Sequence, residues 1–172
     1  DERAEVFADP SNIRTLIEQH ELITLGGSRY LLVEFDFGLP GSVLLRTLEA
    51  IAQRGLVPVV AHPERYDAVQ RDPGLATWCF SRGMLLQLNK GSLLGLLGSR
   101  AEDAALHLLS HGLAHLIASD AHDDRFRTTG FRSLLPVLEP ICHPDYIALL
   151  LHGNPRRILR DEPIPIPPLQ SD

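Results

Sequence analysis

Short apolar runs and stretches of helical period alternate along the chain. The runs at residues 4–7, 30–35, 57–62, 84–89 and 115–120 are too brief and too sharply bounded for helices, and they read as strands. Between them, apolar residues recur at three- and four-residue spacing: Ile13, Leu16 and Ile17; then Val43, Leu44, Leu48 and Ile51; then Ala104, Ala105, Leu108 and Leu109. That spacing predicts helices over about 9–20, 40–54, 73–82 and 101–111, with Gly55, Gly83 and Gly112 stopping the last three. Gly26-Gly27 marks a turn, and residues 91–98 read as a glycine-punctuated loop. Beyond the fifth strand the pattern predicts helices over about 131–139 and 144–152, and a short one opened by Asn154-Pro155. Residues 163–168 read as an extended proline-rich tail.

Strands that are almost wholly apolar are buried on both faces, as parallel strands covered by helices are. An open doubly wound sheet and a β/α barrel both satisfy this pattern. No glycine-rich phosphate fingerprint follows any strand, so a dinucleotide-binding fold has no support. Residues 1–160 read as one α/β domain, and 161–172 as its tail.

Composition changes this picture little. The 172 residues suffice for one sizeable core. A net charge of −6 argues against a nucleic-acid or anionic-membrane surface. No apolar run approaches the roughly 20 residues that span a bilayer. Cys79 and Cys142 lie far apart, in neither metal-binding nor redox spacing, which suggests free thiols and a cytoplasmic location. Cys79, in Trp78-Cys79-Phe80, reads as a core thiol.

The residues at the strand ends change it more. In order they are Glu5, Glu34, His62, Asn89, and Asp120 with His122. Parallel strands aim their C-terminal ends at one face, where active sites are built, so these side chains are expected to converge. Glu34 stands inside Leu31-Leu32-Val33-Glu34-Phe35, where a carboxylate wants a cation, an arginine or a proton. Asp120 and His122, two residues apart, share one side of an extended chain. Glutamate, aspartate and histidine without cysteine suit manganese, iron or zinc better than calcium or a structural zinc. Two or three such ions would polarise a phosphoryl group and yield a hydroxide nucleophile near neutral pH. Arg65 and Arg127 follow His62 and His122 in the same loops, and guanidinium forks match phosphate oxygens. Arg125 competes with Arg127 for that role. Taken singly, each position also has an ordinary reading: Glu5 as an exposed residue near a terminus, His62 as a turn histidine, Asp120 as a cap, the arginines as surface charge. No serine nucleophile elbow, cysteine-phosphatase loop or paired-carboxylate glycosidase signature is present.

Three blocks carry a resemblance: Ala61-His62-Pro63-Glu64-Arg65-Tyr66; Gln87-Leu88-Asn89 followed by Ser92-Leu93-Leu94-Gly95; and Ser119-Asp120-Ala121-His122 with Arg127. In order and spacing the chain resembles the metal-dependent protein-tyrosine phosphatases of bacterial capsule and exopolysaccharide loci (the CpsB/CapC type), within the polymerase-and-histidinol-phosphatase (PHP) superfamily. The likeness runs from about Ala4 to the segment Asn154-Pro155-Arg156-Arg157-Ile158-Leu159. It implies a distorted TIM-like β/α barrel and a site of up to three ions, usually manganese, with iron, cobalt or zinc as alternatives. It further implies hydrolysis of phosphotyrosine on a polysaccharide-assembly tyrosine kinase, without a phosphoenzyme. Motif by motif, Glu5 falls on the bridging glutamate, and Glu34, His62, Asp120 and His122 fall on further metal ligands. Arg65 and Arg127 fall on the arginines near the phosphate. The family opens with a His-x-His motif and a further histidine that this chain lacks, so the expectation is a fragment without the first strands of the barrel. Two other readings stay open: a phosphatase of a small ester such as histidinol phosphate, and an inactive remnant serving as a binding module. Neither nucleic acid nor membrane insertion is expected, and the oligomeric state is open.

Overall fold

The structure is a computed structural model that describes the backbone of residues 5–7, and residues 24–119 and 130–169 with their side chains. The predicted alternation builds one parallel sheet. β1 (Glu5–Phe7), β2 (Tyr30–Glu34), β3 (Val57–Ala61), β4 (Leu85–Asn89) and β5 (Leu116–Ala118) lie side by side in chain order. Val6 pairs with Val33, Leu32 with Val59, Val60 with Leu86, and Leu88 with Ile117.

Between strands run α1 (Gly41–Ala52), α2 (Asp67–Arg71), α3 (Gly74–Ser81), α4 (Lys90–Leu93) and α5 (Ser99–Ser110). After β5 come α6 (Leu135–Leu138), α7 (Pro144–Ala148) and α8 (Asn154–Leu159). The helix expected over 9–20 lies outside the described residues. α1 buries Leu44, Thr47, Leu48 and Ile51, and α5 buries Ala101, Ala105, Leu108 and Leu109. Ala101 completes the α5 stripe in place of the expected Ala104, which lines a cavity instead. Gly55 and Gly112 end their helices at φ +80° and +68°, backbone that glycine adopts without strain. Two tracts too short to show a helical period nonetheless coil: residues 63–71 form a 3-10 turn (Pro63–Arg65) and α2, and the expected loop after β4 opens with α4. The stretch expected over 144–152 is α7, which continues through a π segment (Leu149–Gly153) into α8.

Alternate strand residues part between two faces. Leu31, Val33, Val60, Leu86, Leu88 and Ile117 pack with Leu48 of α1, Cys79 of α3 and Leu108 of α5. On the opposite face, Tyr30, Leu32, Val59, Ala61, Leu85 and Leu116 pack with Leu25 and Ile158. A doubly wound sheet reverses its strand order and carries helices on both faces. Here the order never reverses, and α1, α3 and α5 share one face, so the doubly wound alternative falls. The closed barrel expected from the resemblance is not formed either: the described strands make an open sheet with β1 and β5 at its edges. A parallel β/α barrel of the TIM type closes with eight strands, and the described residues supply five.

The tail is packed rather than free. Arg29 Nε donates to Asp161 Oδ1 at 2.9 Å, Tyr30 Oη donates to the Glu162 carbonyl at 2.6 Å, and Ile164 packs against the Ile158 cluster. Cys79 and Cys142 are buried free thiols, and burial pushes Cys79 up to about 12, as a core thiol requires. Among the described residues no helix is long and apolar enough to cross a membrane.

Two buried polar side chains lock the loops to the sheet. His115 Nδ1 accepts from Leu86 N at 3.0 Å, its ring stacks on Phe80, and its carbonyl accepts from Asn154 Nδ2 at 2.9 Å. Glu64 is wholly buried: its Oε1 accepts from Asn89 N at 2.9 Å and Ser92 Oγ at 2.7 Å, and its carbonyl accepts from Gln70 Nε2 at 2.8 Å. Those bonds fasten the turn after β3 to the turn after β4. Burial pushes the Glu64 carboxyl up to about 7, against the opposing pull of the bonds from Asn89 and Ser92.

Removing the Glu64 carboxyl strands two buried donors, so Glu64→Ala is expected to lose about 2–4 kcal/mol in urea denaturation. Glu64→Gln keeps an oxygen for them and should lose clearly less. Burial also drives His115 down to about 4 from 6.5, so the native chain binds fewer protons than the unfolded one across that interval. The stability this represents is complete above pH 6.5 and disappears as pH falls toward 4. His115→Asn, which retains an acceptor for Leu86 N, should therefore lose about 2–3 kcal/mol less than the parent between pH 7 and 4.5. Equal losses in the two proteins would contradict that assignment.

Candidate functional site

Glu34 is the last residue of β2, and His62 follows β3 directly, so parallel pairing carries both to the same end of neighbouring strands. Their side chains meet, with His62 Nε2 3.0 Å from Glu34 Oε1. Glu34 keeps 30% of its side chain exposed, so the pair is open to an ion from solvent. His62 sits at φ 36° and ψ 57°, a left-handed conformation that costs a β-carbon residue about 1–2 kcal/mol. A following proline further disfavours any departure from extended backbone. Such strain persists only where the surroundings enforce it, and it gathers at functional sites. Here Glu64 anchors the turn from one side, while Tyr66 and Phe37 meet the His62 ring edge-on at centroid distances of 5.4 and 5.5 Å. Tyr66 is itself buried, and its hydroxyl accepts from Phe35 N at 3.0 Å.

Arg65 ends the same turn. Its guanidinium lies 4.5 Å above the Phe37 ring, and among the described residues no carboxylate pairs with it. The neighbours Glu64 and Arg65 thus diverge, one into the core and the other over an aromatic ring at the strand ends.

The remaining expected site residues are placed only in part. Register sets Glu5 opposite Leu32, and Phe7 opposite Glu34, so position 5 lies one two-residue repeat behind Glu34 on the adjoining strand. The Glu5 side chain lies outside the described residues, as do Asp120, His122, Arg127 and the competing Arg125. Asn89, also expected at the strand-end cluster, caps α4, its Oδ1 accepting from Gly91 N at 2.7 Å.

Among the described residues no three histidine, cysteine, aspartate or glutamate side chains gather as a metal-binding group; Glu34 and His62 form a pair. The pair still fits a borderline divalent cation, because a carboxylate and an imidazole are the donors such ions take. His62 Nδ1 is buried and bonded to no described group, so the ring retains an unused donor or acceptor.

Sequence reasoning missed Glu64, Tyr66 and Phe37 as parts of the site. The burial of Glu64 comes from contact with α4, distant in sequence, and no local pattern announces it. A cavity of about 520 Å³ opens elsewhere, between α2 and α5, lined by Gln70, Arg71, Arg100, Asp103 and His107 among others. No strand end contributes to it, so it is separate from the Glu34–His62 pair.

With this geometry in place, likeness to known proteins is informative. Residues 4–160 match the family model described as capsular polysaccharide synthesis, CpsB/CapC. The tyrosine-protein phosphatase YwqE of Bacillus subtilis is 29% identical over 148 residues, which cover 86% of this chain and 58% of that protein. The putative tyrosine-protein phosphatase CapC of Staphylococcus aureus is 34% identical over 106 residues, covering 62% and 42%. The tyrosine-protein phosphatase CpsB of Streptococcus pneumoniae is 28% identical over 151 residues, covering 85% and 62%. The chain therefore spans roughly half of each of these relatives. A solved structure from work on YwqE and CpsB, described as metal-dependent tyrosine phosphatases, superposes with a TM-score of 0.74 at 26% identity. It covers 98% of this chain and 67% of the solved one. The family match extends over nearly the whole chain and takes in the strand ends that carry Glu34, His62 and Arg65, so the chain belongs to the CpsB/CapC family of capsular polysaccharide synthesis.

Proposed function

We propose that the chain carries part of the active site of a metal-dependent phosphomonoesterase that hydrolyses phosphotyrosine on proteins, in the regulation of capsular or exopolysaccharide biosynthesis. The reading rests first on the 3.0 Å contact between Glu34 and His62, with Arg65 beside it. The names of the relatives, all tyrosine phosphatases, support it. In this reading the open sheet is a sector of a distorted β/α barrel, which the unreversed strand order and the crossover helices α1, α3 and α5 on one face support.

Glu34 and His62 are proposed to hold a divalent cation, and Glu5, Asp120 and His122 to complete the ligand set. Manganese is the favoured ion, with iron, cobalt or zinc as alternatives. A bound divalent cation supplies Lewis acidity toward a phosphoryl oxygen and makes water a stronger nucleophile near neutral pH. Tyr66 and Phe37 fix the His62 ring, so its nitrogen faces the Glu34 carboxylate without rearrangement. Arg65 offers its donors to the phosphate and offsets the negative charge growing on the oxygens, with Arg127 as the proposed second arginine. Water adds to phosphorus as the bond to the tyrosyl oxygen breaks, releasing tyrosine and inorganic phosphate. A phenol of pKa about 10 is a competent leaving group for this direct displacement by water. The protein substrate proposed is a polysaccharide-assembly tyrosine kinase, and the buried free thiols Cys79 and Cys142 support a cytoplasmic setting.

The test is manganese binding by the purified chain, followed by electron paramagnetic resonance, together with turnover of a phosphotyrosine peptide with and without chelator. Glu34→Gln and His62→Ala are each expected to weaken manganese binding at least tenfold, and Arg65→Ala to lower turnover while sparing the metal. Unchanged manganese affinity in both ligand variants would refute the site. Faster turnover of histidinol phosphate than of the peptide would move the substrate to a small ester.

A further inference from the structure

Phe37 stands out among the exposed large apolar residues of the described chain because it is the only aromatic one, with 38% of its surface open. It is held on both sides. Asp36 Oδ1 accepts from Gly38 N at 3.0 Å, Leu39 N donates to the Asp36 carbonyl at 3.1 Å, and Asp67 N donates to the Phe37 carbonyl at 2.9 Å. The loop after β2 is therefore tied to the segment after β3, which fixes the backbone that carries the ring. It meets His62 edge-on at 5.5 Å and Tyr66 at a tilt at 6.1 Å, and the Arg65 guanidinium lies over it at 4.5 Å. An aromatic side chain placed beside both the imidazole and the guanidinium of the site is in position to meet whatever group the phosphate carries.

We propose that Phe37 is the specificity-determining residue of this site, the surface against which the aryl ring of a phosphate ester packs while Arg65 holds the phosphate. The inference rests on the phosphatase reading above and adds to it the residue that selects aryl over alkyl phosphomonoesters. The geometry supplies the reason. Arg65 is stacked on Phe37, so a phosphate bonded to that guanidinium sits at the rim of the Phe37 ring. An aryl group joined to the phosphorus through a single oxygen then falls within reach of the same ring. Aromatic pairs at such distances prefer offset or edge-to-face contact and gain more than area burial alone gives. A seryl or other alkyl ester has no ring to place there and leaves the Phe37 surface in water.

Phosphonates, which are not hydrolysed, separate recognition from turnover. Calorimetric titration of the manganese-supplemented chain with phenylphosphonate and with methylphosphonate is expected to show tighter binding of the phenyl compound, by about fivefold to tenfold. Phe37→Ala should collapse that ratio toward one; because Phe37 also braces His62 and Arg65, methylphosphonate is expected to weaken as well, but the phenyl compound by more. Phe37→Leu, apolar but without an aromatic face, should lose most of the ratio, and Phe37→Trp should retain it. No discrimination by the parent chain, no phosphonate binding at all, or an equal loss of both ligands in Phe37→Ala would overturn the assignment. Discrimination that persists in a chain with no turnover of phosphotyrosine peptide supports Phe37 as the aryl surface and counts against the hydrolytic reading alone.

Discussion

The parallel pairing of β2 with β3 is the constraint on which the remainder depends. Val33 opposite Val60 places the last residue of one strand beside the end of the next. Glu34 and His62, 28 positions apart in sequence, meet for that reason. An antiparallel pairing of the same apolar runs would send them to opposite ends of the sheet. Parallel pairing in turn requires crossovers on the sheet face, and the apolar stripes of α1, α3 and α5 meet that need by burying Leu48, Cys79 and Leu108 against it.

Strand pairing alone does not fix a side chain in a left-handed turn. His62 holds an unfavourable backbone because the turn it opens is fastened from below by Glu64 and from beside by Tyr66 and Phe37. The glutamate is a costly fastener. A buried carboxyl with one oxygen bonded and the other unpartnered among the described residues contributes little net stability, and its removal would leave the Asn89 amide and Ser92 hydroxyl unpaired. Its location is more telling than its energy: two residues from His62 and one from Arg65, it ties the loop that carries both to the loop after β4.

Much of this is legible in the amino-acid order. The five strands declare themselves as apolar runs, and the polar letters closing them point to a common face. Glu34 is conspicuous as a charge in an apolar run. Other features depend on contacts that no local pattern encodes. Asn89 closes β4 as a strand-end residue, and its oxygen also caps the helix that follows through Gly91 N. Ala101 and Ala104 both fit a helical count, and only contacts from outside the helix decide that Ala101 is the buried one. The choice between a doubly wound sheet and a one-way strand order is invisible in periodicity, because both use identical units; it is decided by which face the crossovers take. The resemblance implies closure, but closure depends on strand number, tilt and stagger together, which no apolar run reveals, and the five described strands form an open sheet.

The central claim is that Glu34 and His62 grip a cation together rather than merely each other. Anomalous diffraction at the manganese edge, from crystals of this chain grown with manganese, addresses it most directly. The account predicts an anomalous peak within bonding distance of both the Glu34 carboxylate and the His62 imidazole. A map with no peak there, and the two side chains still hydrogen-bonded to one another at saturating manganese, would contradict it.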